Sequence, residues 1–200
     1  MLCRQYHGAG LVCGQDFRFG YRGEGNAETL KAQCVRWGIP CVIVPEQHLD
    51  RVRISSTYIR ERLEQGNMEQ ATRFLGHPHI LTGTVVSGRG FGRTLGIPTA
   101  NISVPAGVLL PRHGVYACRA TVAEKTYAAV TNIGMRPTVD GHHVTVEPWL
   151  LDFEGNLYGQ EITLEFHAYL RQEEKFASLD ALKTEIQKNA AQARKFFEKS

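Results

Sequence analysis

Gly83-Thr84-Val85-Val86-Ser87-Gly88-Arg89-Gly90-Phe91-Gly92-Arg93-Thr94-Leu95-Gly96-Ile97-Pro98-Thr99-Ala100-Asn101-Ile102 begins as a strand, loosens into a loop rich in glycine and arginine, and closes on a Pro-Thr-Ala-Asn step. Glycines let a backbone approach a ligand closely. Arginines present a fork of donors suited to phosphate. Thr99 and Asn101 offer a hydroxyl and a carboxamide oxygen, hard ligands of the kind Mg²⁺ accepts. Their i, i+2 spacing puts both on one face of a strand. The loop is not a Walker motif, because no Gly-Lys-Ser/Thr follows. Nor is it a dinucleotide fingerprint: Arg93 stands where a third glycine belongs, and no helix follows. A phosphate-handling loop beside a metal step points to a nucleotide-using enzyme.

Outward from this stretch, the pattern after His79 has period two. It predicts strands at 79–88, 113–123, 126–134, 143–152 and 160–170, with a tight reversal at Glu124-Lys125 and turns at Asp140-Gly141 and Glu154-Gly155-Asn156. Five or six strands with no helix between them indicate a small antiparallel barrel. Residues 178–200 form an amphipathic helix capped by Ser178, whose apolar face of Leu182, Ile186, Ala190, Ala193 and Phe197 would cover the barrel.

Upstream, Leu11-Val12-Cys13 and the run Ile39 to Val44 are short apolar strands. Between them lies a helix capped by Asn26 and stopped at Gly38, so the segment reads as a βαβ unit. Parallel α/β sheets usually carry more strands than this, so the segment resembles the latter half of a domain. Two helices follow, from Ser55 or Ser56 to Gly66 and from Asn67 to Gly76. His77-Pro78 ends the helical region, and the domain boundary is set there, dividing 1–76 from 77–200.

Composition narrows the class. Lys+Arg number 23 and Asp+Glu 20, a net charge of +3, too balanced to argue for nucleic acid or a membrane surface. No apolar run reaches membrane length and the start lacks a signal-peptide core. Five cysteines without Cys-x-x-Cys spacing fit reduced thiols in the cytoplasm. His142-His143 has no companion ligands at metal spacing and reads as a turn-flanking pair.

Glu147 stands out in the apolar strand Val144 to Leu151. Alternation places it on one face with Thr145 and Trp149. A carboxylate in such a strand is either outward-facing or functional, and as a functional group it can take a proton from a substrate hydroxyl. Arg171 and Phe176, ahead of the last helix, can grip and cover an aromatic ligand.

With these residues in view, 80–197 resembles a riboflavin kinase module. The match is carried by Gly83 to Gly88, Gly92 to Asn101, Gly114-Val115-Tyr116, Asn132 to Thr138, Val146-Glu147, Leu150-Leu151-Asp152, Leu157-Tyr158-Gly159 and Leu170-Arg171 with Lys175 to Leu179. Residues 1–76 resemble the later part of the FMN adenylyltransferase domain of bacterial bifunctional enzymes (FAD synthetases), through Gly14 to Gly20 and Ile54 to Arg60.

The resemblance implies an α+β chain: a six-stranded antiparallel Greek-key barrel with a C-terminal helix, preceded by a partial Rossmann-like nucleotidyltransferase domain. It implies transfer of the ATP γ-phosphate to the 5′-hydroxyl of riboflavin, giving FMN and ADP, with Mg²⁺. Glu147 would be the base. Gly83, Gly88, Arg89, Gly90, Gly92 and Arg93 would line the phosphates, with Thr99 and Asn101 holding metal and phosphate. Arg171, Glu173 and Phe176 would bind the flavin. Asp16, Phe17, Ser55, Ser56, Thr57 and Arg60 would be a residual adenylyltransferase nucleotide site.

Two departures stand out. Trp149 occupies the place two residues after the glutamate where the family usually has histidine. The early His-x-Gly-His of adenylyltransferases is missing, so FAD synthesis is expected to be lost or partial. The alternatives are full bifunctional activity when the missing part is supplied, and a catalytically silent flavin- or nucleotide-binding module.

Overall fold

The computed structural model describes residues 8–88, 92, 96–138 and 141–198, with backbone alone for 136–138 and 141–143. The chain divides into two compact units, Met1–Ser55 and Ser56–Ser200.

In the first unit, β1 (Leu11–Gly14) and β4 (Cys41–Val44) pair in parallel, Leu11 opposite Cys41 and Gly14 opposite Val44. The crossover is α1 (Ala27–Arg36), so the βαβ reading holds. Asn26 caps α1: its Oδ1 accepts from the Thr29 N–H at 2.9 Å, and Thr29 Oγ1 accepts from the Asn26 N–H at 2.8 Å. This is a reciprocal capping box with threonine in the place of the usual glutamate. Two short ribbons complete the unit, β2 (Arg18–Phe19) with β3 (Gly25–Asn26) and β5 (His48–Leu49) with β6 (Val52–Arg53). Side chains alternate along β1 and β4. Val12, Val42 and Val44 stay exposed, while α1 packs against the sheet and buries Ala27 and Cys34.

The second unit opens with α2 (Ser56–Glu64) and α3 (Met68–Leu75). Then come β7 (His79–Val86), β8 (Asn101–Ser103), β9 (Gly114–Val122), β10 (Lys125–Thr138), β11 (Gly141–Leu150) and β12 (Glu161–Arg171). They close into a barrel in the order β10-β11-β8-β7-β12-β9, every neighbouring pair antiparallel. Its interior holds Leu81, Val85, Tyr116, Cys118, Ile133, Val146, Leu164 and Phe166. Leu63 of α2 and Met68 and Ala71 of α3 belong to this same buried cluster.

Three differences from the sequence reading have physical reasons. The packing division falls at 55/56, because the apolar faces of α2 and α3 lie on the barrel core, whereas the boundary at 76/77 is drawn from sequence pattern. His77-Pro78 marks where helix yields to strand, and packing need not change at that point. Second, β8 has three residues, too few for a periodicity, yet it bridges β7 and β11. Third, the β9–β10 reversal sits one residue early, at Ala123-Glu124, with φ of +46° and +64°. Two successive positive φ values make the turn whose twist matches a hairpin, here without glycine.

The last helix, α4 (Leu179–Glu198), starts as expected: Ser178 Oγ accepts from the Ala181 N–H at 3.2 Å. Ala190, Ala193 and Phe197 pack with Val115, Ala117, Val130 and Trp149 in a second cluster on the barrel's outer face.

Candidate active site

Along β11, Val144 and Val146 point into the barrel. Thr145, Glu147 and Trp149 therefore point outward, registered opposite Gly134, Asn132 and Val130 of β10. These six residues form one wall of a cavity of about 280 Å³. Gly92, Thr99 and Asn101 form a second wall, and Arg171, Glu173 and Phe176 a third. Leu182, Ile186 and Asn189 of α4 close the side next to the helix.

The position of each functional group follows from local bonding. The Ala100 N–H donates to Pro148 O at 2.8 Å, which fastens the Pro-Thr-Ala-Asn step beside Glu147. The Ile97 N–H donates to Gly92 O at 2.8 Å. A side chain at Gly92 would collide with the Ile97 carbonyl and lie 2.9 Å from Thr99 Oγ1, so the approach requires glycine. Glu147 is half-buried, and Thr145 Oγ1 donates to its Oε1 at 2.9 Å. One carboxylate oxygen is thereby oriented by its own strand.

On the far wall, the Arg171 guanidinium lies 5.4 Å from the Phe176 ring centroid. Its Nε donates to Asn189 Oδ1 at 3.0 Å and its Nη1 to Gln172 O at 2.9 Å. Glu173 crosses the backbone of Gly134, where any side chain would strike its carboxylate, and accepts from Asn132 Nδ2 at 3.5 Å. Inside the barrel, burial pushes the Cys118 thiol up to about 12 and raises the Tyr116 phenol too. Neither group lines the cavity.

A smaller cavity, about 80 Å³, shares Thr99 with the first. Its walls include Val85, Pro98, Leu150, Phe153, Leu157 and Tyr158.

Seven of the sequence candidates thus meet around the larger cavity: Gly92, Thr99, Asn101, Glu147, Arg171, Glu173 and Phe176. Gly83 and Gly88 stand apart from its lining. Gly83 makes room for Ile102 and Ser103 where β8 crosses β7, and Gly88 for the Asn101 carboxamide. Arg89, Gly90 and Arg93 lie outside the described residues. Asp16 pairs with Arg53 at 2.6 Å in the first unit, where Phe17 stacks on Phe19. Ser55 belongs to that unit, and Ser56, Thr57 and Arg60 to the second. Arg60 Nη1 donates to Ser56 Oγ at 3.2 Å. Asn132, Asn189 and the smaller cavity had no place among the candidates. Asn189 carried a signal, a polar residue three after Ile186 on an apolar helical stripe.

The riboflavin kinase family model matches residues 75–197, which span β7 to β12 and nearly all of α4. The chain belongs to the riboflavin kinase family. A FAD synthetase family model matches residues 1–58. The bifunctional riboflavin kinase/FMN adenylyltransferase of Haemophilus influenzae is 40% identical over 200 residues, covering 98% of this chain and 64% of that protein. That of Escherichia coli K12 is 40% identical over 188 residues, covering 94% and 60%. The chain therefore spans less than two thirds of these relatives. A solved Streptococcus pneumoniae structure, titled a macrolide-efflux protein, superimposes with a TM-score of 0.80 at 31% identity, over 90% of this chain and 58% of that one. The two family matches leave 59–74 to neither, and that interval contains most of α2 and α3. Among the described residues, no helix is long and apolar enough to cross a membrane.

Proposed function

We propose that the second unit is a riboflavin kinase, transferring the γ-phosphoryl group of ATP to the 5′-hydroxyl of riboflavin to give FMN and ADP. One observation carries this reading: an oriented carboxylate, Glu147, shares a cavity with the Thr99–Asn101 oxygen pair and with the Arg171–Phe176 cover.

Phosphoryl transfer leaves little covalent chemistry for a protein, so positioning and charge dominate. Glu147 accepts the proton of the attacking hydroxyl, and Thr145 holds the carboxylate toward it. The flavin ring lies toward Phe176, Leu182 and Ile186, and the guanidinium of Arg171 stands at its edge. The nucleotide base occupies the smaller cavity, and its phosphates pass Thr99, the residue common to both. The Phe176 segment excludes water and thereby limits ATP hydrolysis. Thr99 and Asn101 supply neutral hard oxygens, a donor set that suits Mg²⁺ and would hold it beside the phosphates. When bound, that ion offsets phosphate charge. The reading needs neither nucleic acid nor membrane, and it places the chain in the cytoplasm, where ATP is available.

The test is incubation with riboflavin, ATP and Mg²⁺, following FMN by chromatography. FMN formation supports the reading. Flavin binding without turnover points instead to a silent binding module. The FAD synthetase match over residues 1–58 favours a second reading in which FMN is also adenylylated. The same assay started from FMN reads it directly: FAD formation supports this second reading, and its absence leaves the kinase reading alone.

A further inference from the structure

We infer that Asn189 is a positioning residue for the flavin side of the cavity, acting through Arg171. The inference rests on the riboflavin kinase reading.

Asn189 is 1% exposed, in the middle of α4. Its Oδ1 accepts from Arg171 Nε at 3.0 Å, and its Nδ2 donates to Glu185 Oε1 at 3.3 Å and Gln192 Oε1 at 3.4 Å. Chemistry fixes the orientation of the carboxamide: Arg171 Nε only donates, and an ionised carboxylate at Glu185 only accepts. Glu185 Oε1 also lies 3.6 Å from Arg171 Nε. The guanidinium therefore has three partners, Asn189 and Glu185 from α4 at Nε and Gln172 O at Nη1.

An apolar residue would serve the helix–barrel contact at least as well. The same stripe carries Ile186, Ala190 and Ala193. A buried amide needs all its partners, because a lost one leaves a desolvated polar group. What the carboxamide adds is a fixed address for a guanidinium that lines the cavity and lies against the Phe176 ring. Arg171 ends β12, and Phe176 follows on the connection to α4. Asn189 thus ties the start of that connection to the helix beyond it.

The experiment is steady-state kinetics of Asn189→Leu with riboflavin and ATP varied separately. The expected result is a riboflavin KM raised about tenfold, the scale of one charge-assisted hydrogen bond, with kcat and the ATP KM within about twofold. In a cycle with Arg171→Ala, the double variant should be no worse for riboflavin than Arg171→Ala alone. An unchanged riboflavin KM in a folded, active Asn189→Leu enzyme overturns the inference. So do losses that simply add in the cycle. Should Asn189→Leu fail to fold by circular dichroism, Asn189→Ala is read the same way; failure of both makes Asn189 a residue of the fold alone and overturns the inference too. A wild-type chain that makes no FMN sinks the kinase reading separately, and the variants are then compared by quenching of riboflavin fluorescence on binding.

Discussion

In the barrel, each strand has a hydrogen-bonded neighbour on both sides; in the first unit, β1 and β4 pair only with each other among the described residues. The contrast extends to side chains. Tyr116, Phe166 and Leu164 are fully buried in the barrel, whereas Val12 is 71% and Val42 55% exposed on one face of the two-stranded sheet. Closure satisfies the backbone and leaves no edge for other chains to pair with. A parallel pair with one bare valine face does neither, since parallel sheets usually have both faces covered and small sheets have little stability of their own. Stability and the candidate chemistry therefore reside together in the second unit. The first unit keeps one valine-bearing face exposed.

Four measurements would break or sharpen this contrast. The largest effect is expected for Phe166→Ala, which removes a fully buried ring set edge-on to Tyr116 at 5.3 Å. It should cost the barrel about 3–5 kcal/mol in chemical denaturation. A loss below about 1 kcal/mol would mean that the barrel core is not the main source of stability. Next comes Glu147→Gln, which keeps the shape and the Thr145 contact but removes the proton acceptor. Turnover should fall by ~10²-fold or more with riboflavin affinity retained, and near-normal turnover would take Glu147 out of the mechanism.

A smaller effect is expected from pH. Burial, its largest cause in both, lowers the imidazole pKa of His79 and of His167. The unfolded chain then binds protons first as pH falls through about 6.5, so the barrel should lose stability below that value and keep it above. Melting at pH 7.5 and 5.5 should show the drop, and His79→Gln with His167→Gln should flatten it. A drop unchanged in the double variant would assign the pH dependence to other groups. The smallest effect belongs to the open face: Val42→Thr should change stability by no more than about 0.5 kcal/mol. A larger loss would show that this face is covered in solution.

The sequence was most legible where a pattern repeats. Alternation alone put Thr145, Glu147 and Trp149 on one face, and the structure keeps them on one wall. The Pro-Thr-Ala-Asn step and Arg171 line the same cavity. Trp149 packs between barrel and helix. Legibility ended where a contact is local to three dimensions. β8 is too short to show a period. The faces of α2 and α3 look like those of any amphipathic helix until the core beneath them is known. The smaller cavity gathers Val85, Leu150 and Leu157, ordinary apolar residues whose meeting depends on how the barrel closes. Asn189 was visible only as an interruption in an apolar stripe, and its partner Arg171 lies 18 residues away.

The closure of β7 against β12 has a consequence in time. The hydroxyls of Thr82 and Thr163 sit 3.0 Å apart across that seam, although 81 residues separate them along the chain. Contacts of such long range are formed late, because the intervening loop must be ordered before they repay it. A chain emerging from a ribosome N-terminus first holds β7 with one side unpaired until β12 has followed it out. During synthesis, then, the module that ends with no edges spends its longest interval with one open, and that is when a chaperone or a neighbouring nascent chain would find it.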